Sequence, residues 1–159
     1  MKYVDTKVVF REVPDELTLA INISNCPVKC PGCHSSYLAQ DIGEVLVPET
    51  LETLIVSNPG ITCVSFMGGD GEPELVREYA LLIKKNHPSL KVCWYSGRGL
   101  ENAKANLDAL DYVKVGPYVD EFGPLDSPTT NQRFYRISHT EAGDPVLEDW
   151  TGRFKPRFV

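Results

Sequence analysis

Three cysteines lie close together near the start of the chain, at Cys26, Cys30 and Cys33. Their spacing, C-x3-C-x2-C on a turn-rich loop, allows three thiolates to hold three irons of a [4Fe–4S] cluster. Such a cluster normally takes four cysteines, so one iron would be left open for another ligand. Cys63 and Cys93 stand alone in apolar runs, which favours buried apolar positions over ligand roles.

A zinc site is the alternative interpretation of the same segment. His34 directly follows Cys33, and three thiolates with one imidazole would form a closed tetrahedral set that suits zinc. Adjacent residues are awkward as two ligands of one ion, however, and the paired C-x2-C halves of common zinc sites are missing. The spacing favours iron–sulfur and leaves zinc open.

A second polar group follows a later apolar run, at Gly68, Gly69, Asp70 and Glu72. Glycines after a strand let the backbone approach a ligand closely, and a carboxylate there can accept hydrogen bonds from an ammonium group. A plain glycine-rich turn would have the same composition. The residue types therefore permit a ligand site without establishing one.

The elements that must position these residues alternate between strands and helices. Strands are predicted at 17–23, 61–67, 90–95, Tyr112–Val115 and 133–137, and helices at 48–58, 74–86 and 100–110. Such alternation predicts an α/β fold with a largely parallel sheet, in which ligands bind beyond the carboxyl ends of the strands. We therefore expect residues 26–33, 68–72, 96–98 and 116–118 to share one edge of the sheet.

Length and composition limit the fold classes and the kinds of partner that the chain can have. A chain of 159 residues is the size of one domain and is too short for a full eight-fold (βα) barrel of ~250 residues. A net charge of −6 argues against nonspecific binding to nucleic acid. Without a signal-peptide core or a run of ~20 apolar residues, no membrane association is expected, and we expect a cytoplasmic protein.

The last segment, 140–159, has no clear period and is expected to be irregular. It contains Trp150 and Phe154 among basic residues, a composition that is enriched at interfaces. The segment either anchors a partner or packs on its own domain.

The cysteine loop resembles that of the radical S-adenosylmethionine (SAM) enzymes in spacing, order and position after a strand. Over nearly the whole chain, the sequence resembles the activating proteins of anaerobic ribonucleoside-triphosphate reductase. The resemblance is strongest at 26–34, 66–70, 115–118 and 131–133. It implies one radical SAM-like domain over 1–159, an incomplete (βα) barrel with a curved sheet of about five or six strands.

This resemblance also implies the cofactors and their ligands. Cys26, Cys30 and Cys33 would hold a [4Fe–4S] cluster whose open iron binds the amino and carboxylate groups of SAM. Related enzymes use a Gly-Gly-Glu-like strand end for the SAM amino group, and here Asp70 is favoured over Glu72 for that role. His34 would lie near the adenine and Ser96 near the ribose hydroxyls. The residues implied around SAM are Gly32, Cys33, His34, Gly68, Gly69, Asp70 and Ser96.

The implied activity is reductive cleavage of SAM to methionine and a 5′-deoxyadenosyl radical. That radical would take a hydrogen from the Cα of a glycine in the reductase and leave a glycyl radical. No flavin or second-cluster motif is visible, so the electron would come from an external donor such as flavodoxin or ferredoxin. An activase of another glycyl-radical enzyme and a non-catalytic zinc- or cluster-stabilised binding module are the alternatives.

Overall fold

A computed structural model describes residues 1–33 and 35–154, in which eight strands form one sheet. The strands are β1 (Lys2–Val9), β2 (Thr18–Ile23), β3 (Glu44–Val45), β4 (Cys63–Met67), β5 (Lys91–Tyr95), β6 (Tyr112–Val115), β7 (Arg133–His139) and β8 (Pro145–Asp149). The α-helices are α1 (Pro48–Val56), α2 (Pro73–Asn86) and α3 (Leu100–Ala103). Short 3₁₀ turns cover Ser36–Ala39, Lys104–Ala109 and Thr151–Phe154.

The expectation of an incomplete (βα) barrel with a largely parallel sheet is wrong. The strand order is β3-β1-β2-β4-β5-β6-β7-β8, and only the pairs from β2 to β6 are parallel. The pairs β1–β3, β1–β2, β6–β7 and β7–β8 are antiparallel. Neighbouring parallel strands need a long crossover connection. The connections at 10–17 and 140–144 are short, so β2 runs antiparallel to β1 and β8 runs antiparallel to β7. The described chain is therefore a mixed eight-stranded sheet with three α-helices.

The four parallel strands have two chemically different faces because successive side chains point to opposite sides. On one face, large apolar residues such as Ile21, Phe66, Trp94 and Val113 form the main core. The other face has a smaller apolar cluster with Cys63, Cys93, Tyr112 and Phe134, together with several polar residues.

Helices α1 and α2 cover the apolar face. Each begins with a proline at its first turn, where the missing N–H costs no intrahelical bond. Helix α2 buries Val76, Tyr79, Ala80 and Ile83 in the main core and carries Lys84 and Lys85 in its last turn. None of the helices in the described residues is long and apolar enough to cross a membrane.

The chain end up to Phe154 packs on its own domain. Strand β8 pairs with β7, and the Phe154 ring lies 4.9 Å from the Phe134 ring, measured between centroids. Trp150 contacts Tyr112 and lies under the guanidinium of Arg153, which also pairs with Asp15. Residues 145–154, within the segment expected to be irregular, thus form a strand and a turn; residues 155–159 lie outside the described part.

We predict that Thr151→Val lowers the free energy of unfolding by about 1–3 kcal/mol, the cost of an unsatisfied buried donor. The buried Thr151 hydroxyl oxygen accepts a hydrogen bond from the Phe134 backbone N–H at 2.9 Å. Urea unfolding of the anaerobically purified protein measures the change.

Thr53→Val is the matched control, because the Thr53 hydroxyl bonds the Glu49 carbonyl on an exposed helix surface. It should change stability by less than about 0.5 kcal/mol. Equal stability of the two variants would contradict a stabilising role for the hydrogen bond between Thr151 and β7.

Candidate metal centre

A pocket of about 310 Å³ lies at the carboxyl ends of the parallel strands. Cys26, Cys30 and Cys33 all line it, together with Gly68 and Asp70 from the loop after β4. Gly97 follows β5, and Tyr118 follows β6. Loops that are far apart in sequence therefore converge on the edge of the sheet that the strand–helix pattern predicts.

One row of neighbouring residues across the sheet forms part of the pocket lining. Asn22, Met67, Tyr95 and Lys114 are successive register partners on β2, β4, β5 and β6, and all four line the pocket. Residues in register on parallel strands point to the same face, so these four side chains share the face opposite α1 and α2. The sheet itself thus positions this part of the site.

Backbone hydrogen bonds tie the cysteine loop to the segment that follows it. The Asn25 N–H donates to the Gln40 carbonyl at 3.1 Å, and the Cys26 N–H donates to the Leu38 carbonyl at 2.9 Å. Asn25 and Lys29 adopt the left-handed region, with φ of 60° and 50°, which turns the chain sharply within the loop. These turns allow all three cysteines to reach one pocket.

Gly68 and Gly69 occupy positions that other residues would strain. Their φ angles are 112° and 98°. A Cβ on Gly68 would lie 3.1 Å from the Ile23 carbonyl oxygen, and one on Gly69 would lie 2.6 Å from Val76 Cγ2. Gly68 lines the pocket, whereas Gly69 lies beside it against α2. Backbone conformation and packing therefore favour glycine at both positions, whether or not a ligand binds nearby.

Asp70 is a buried carboxylate held by two donors from the end of β5. The Ser96 hydroxyl donates to Oδ1 at 2.5 Å, and the Gly97 N–H donates to Oδ2 at 2.8 Å. Ser96 is fully buried and is absent from the pocket lining, so here it positions Asp70. Two of the roughly four acceptor sites of a carboxylate are used, which leaves Asp70 free to accept from a ligand.

Glu72 and Gly32, also predicted near a cofactor, do not line the pocket. Glu72 does not line it, since its carboxylate pairs with the N-terminal ammonium of Met1 at 2.8 Å. Gly32 lies beside the lining, where a Cβ would meet the Tyr118 ring at 3.3 Å. His34 is outside the described residues.

Cys63 and Cys93 are fully buried in the smaller apolar cluster, away from the pocket. Burial raises the pKa of Cys93 to about 12 and that of Cys63 well above its ordinary value. Because the thiolate is the form that binds metal, neither thiol is suited to a ligand role. This agrees with their position in apolar strands of the sequence.

Lys114, in the short apolar strand β6, is a pocket residue that the sequence patterns do not predict. Its side chain is buried in the pocket wall, and Nζ donates to the Gly116 carbonyl at 3.1 Å. The Gln132 side chain donates to the same carbonyl at 3.3 Å and also lines the pocket. A lysine between two apolar residues of a buried strand is the signal that could have indicated it.

Residues 17–136 match the protein family described as a 4Fe-4S single cluster domain. The chain belongs to this family. No curated protein and no solved structure matches the chain significantly. Membership supports iron–sulfur over zinc as the chemistry of the cysteine loop.

The thiols of this 4Fe–4S domain fit the cluster by type and by placement. Three of its five cysteines line one pocket, and the other two are buried elsewhere. In the part of the chain that the structure describes, no three His, Cys, Asp or Glu side chains are arranged to hold a single metal ion. A cluster makes a different demand, because each thiolate binds a different iron.

We predict that Cys26→Ala, Cys30→Ala and Cys33→Ala each lose most of the bound iron and sulfide. Each substitution removes one thiolate from a site with three cysteines in its lining. Iron and sulfide analysis of anaerobically purified protein measures the loss.

Cys63→Ala and Cys93→Ala are the matched controls and should keep their iron, because both thiols are buried away from the pocket. Loss of iron from either control, with the fold intact by circular dichroism, would contradict the assignment of the ligands.

Proposed function

We propose that this 4Fe–4S domain is a radical SAM activase that generates a glycyl radical on anaerobic ribonucleoside-triphosphate reductase. The observation that carries the proposal is one shared pocket: the three cysteines, Gly68 and Asp70 all line it. Three thiolates leave one iron of a cluster open, and the same pocket offers a carboxylate for the ammonium group of a ligand. The cluster, when bound, would supply one electron to the sulfonium of SAM.

The chain's own part is to bind and orient SAM. Asp70 is suited to accept from the SAM ammonium because Ser96 and Gly97 already fix its carboxylate. The Gly68 backbone is fixed too, since its N–H donates to the Tyr95 carbonyl and its carbonyl accepts from the Trp94 indole. Fixed polar groups orient a ligand without a further ordering cost.

The proposed substrate is a glycine in a large protein, so the pocket must be accessible. It is partly open to solvent, and Tyr118, which lines it, lies in the long connection between β6 and β7. An external one-electron donor such as flavodoxin or ferredoxin would reduce the domain. A different glycyl-radical enzyme as the partner is the alternative within the same chemistry.

We predict that the anaerobic, cluster-loaded protein, reduced by dithionite, converts SAM to methionine and 5′-deoxyadenosine. Chromatography measures both products, and Cys30→Ala is the inactive control. With the reductase added, electron paramagnetic resonance should detect a glycyl radical. SAM cleavage without that radical would favour another glycyl-radical partner, and a full cluster that leaves SAM intact would contradict the activase.

We also predict that Asp70→Asn weakens SAM binding by about 1.5–3 kcal/mol, the scale of a hydrogen bond to a charged group. Asparagine keeps the shape, its one oxygen can still accept from the Gly97 N–H, and its NH₂ group can donate to the Ser96 hydroxyl, which reverses that bond. Titration of the cluster-loaded protein with SAM measures the affinity.

Glu72→Gln is the matched control, because Glu72 is half-exposed and paired with Met1 outside the pocket lining. It should bind SAM nearly as the unchanged protein does. The reverse order of the two variants would move the ammonium contact from Asp70 to Glu72.

A further inference from the structure

Among the described residues, Lys114 and Asp70 are the only charged residues that are buried, with 8% and 4% of their surface exposed. Both line the pocket that contains the three cysteines. Buried charges are costly unless opposite charges or hydrogen bonds compensate them. The two charges are opposite in sign and line one pocket, so each acts on a group bound there.

Lys114 is held in a fixed place beside the cysteines. It projects from β6 in the same row as Tyr95, and its ammonium lies 5.8 Å from the centre of the Tyr95 ring. The hydrogen bond to the Gly116 carbonyl fixes the end of the side chain. An ammonium restrained in this way acts as a stationary positive charge.

The surroundings of Lys114 are both desolvating and negative. Burial lowers the pKa of the Lys114 ammonium, while Asp70 and then the thiol groups of Cys30, Cys33 and Cys26 act in the opposite direction. The geometry agrees, because Lys114 and all three cysteines line the same pocket. Asp70 is the first negative partner of Lys114, and the three cysteines, as thiolates, would be the others in the pocket lining.

We propose that the buried charges of Lys114 and Asp70 set the reduction potential of the cluster, with Lys114 raising it and Asp70 lowering it. Adding one electron makes the cluster more negative by one unit, so a nearby cation stabilises the reduced form and a nearby anion destabilises it. Low solvent exposure makes both effects larger than at the surface. Lys114 is a positioning residue in this role, because it acts on the cluster through its field.

This inference rests on the cluster of the 4Fe–4S family and is independent of SAM cleavage. The potential is measured on the cluster-loaded protein without SAM, by redox titration followed by electron paramagnetic resonance. If the variants do not shift the reduction potential, the activase proposal still stands. If the protein does not cleave SAM, the reduction potential can still be measured and compared.

Lys114→Met keeps an apolar chain of similar length and removes the charge. At a fixed applied potential, the ratio of reduced to oxidised cluster should fall at least about tenfold, a shift of about 59 mV to more negative potential for a one-electron couple. Lys114→Arg keeps the charge and should stay close to the unchanged protein.

Lys91→Met is the matched control, since Lys91 is exposed at the opposite end of β5 and its loss changes the net charge equally. Solvent screens an exposed charge, so the ratio should change by less than about threefold. A Lys114→Met protein with a full cluster and a potential equal to that of Lys91→Met would overturn the inference.

Asp70→Asn tests the same inference without removing Lys114. Loss of the carboxylate leaves the cation less compensated, so the potential should become more positive. If Lys114→Met does not keep its cluster, this variant decides the matter: an unchanged or more negative potential would overturn the inference.

Discussion

The register of four parallel strands is the constraint on which the site depends. It places Asn22, Met67, Tyr95 and Lys114 in one row, so that strands distant in sequence present side chains to one pocket. A shift of one residue in β6 would turn Lys114 to the face that the helices cover. The opposite face prevents such a shift, because its large apolar residues pack against α1 and α2.

The strand ends then contribute different groups to the same place. The loop after β2 supplies the thiols, the loop after β4 supplies Gly68 and Asp70, and the end of β5 supplies the donors that hold Asp70. The antiparallel strands outside this centre extend the sheet on both sides. Of these strands, β7 contributes most directly to the site. Gln132, just before β7, donates a hydrogen bond to the Gly116 carbonyl, which also accepts one from Lys114.

The sequence predicts the centre of the sheet better than its edges. Strands β4, β5 and β6 each lie between two other strands, and helix α2 packs on the main core. Their apolar patterns are therefore strong, and their predicted bounds agree closely with the structure. Strands β1, β3 and β8 are partly or largely exposed, so no clear alternation marks them. The predicted helix at 100–110 is correct in place, but only its first turn is α-helical.

Other features depend on contacts that periodicity does not encode. The directions of β1, β7 and β8 depend on the connections that join them to their neighbours in the sheet, and periodicity does not show those directions. For this reason the expectation of a largely parallel sheet is wrong. The bond between Ser96 and Asp70 joins residues 26 positions apart, and the pairing of Glu72 with Met1 joins more distant ones still. Spacing did reveal the cysteine loop, because its thiols are close in sequence as well as in space.

Mössbauer spectroscopy of the ⁵⁷Fe-loaded protein would distinguish a cluster held by three cysteines, with one iron open for SAM, from a cluster with four equivalent irons. We expect about a quarter of the iron signal of a [4Fe–4S] cluster to change when SAM is added, while the rest stays as it was. A cluster whose four irons remain equivalent, with a spectrum unaffected by SAM, would contradict this expectation.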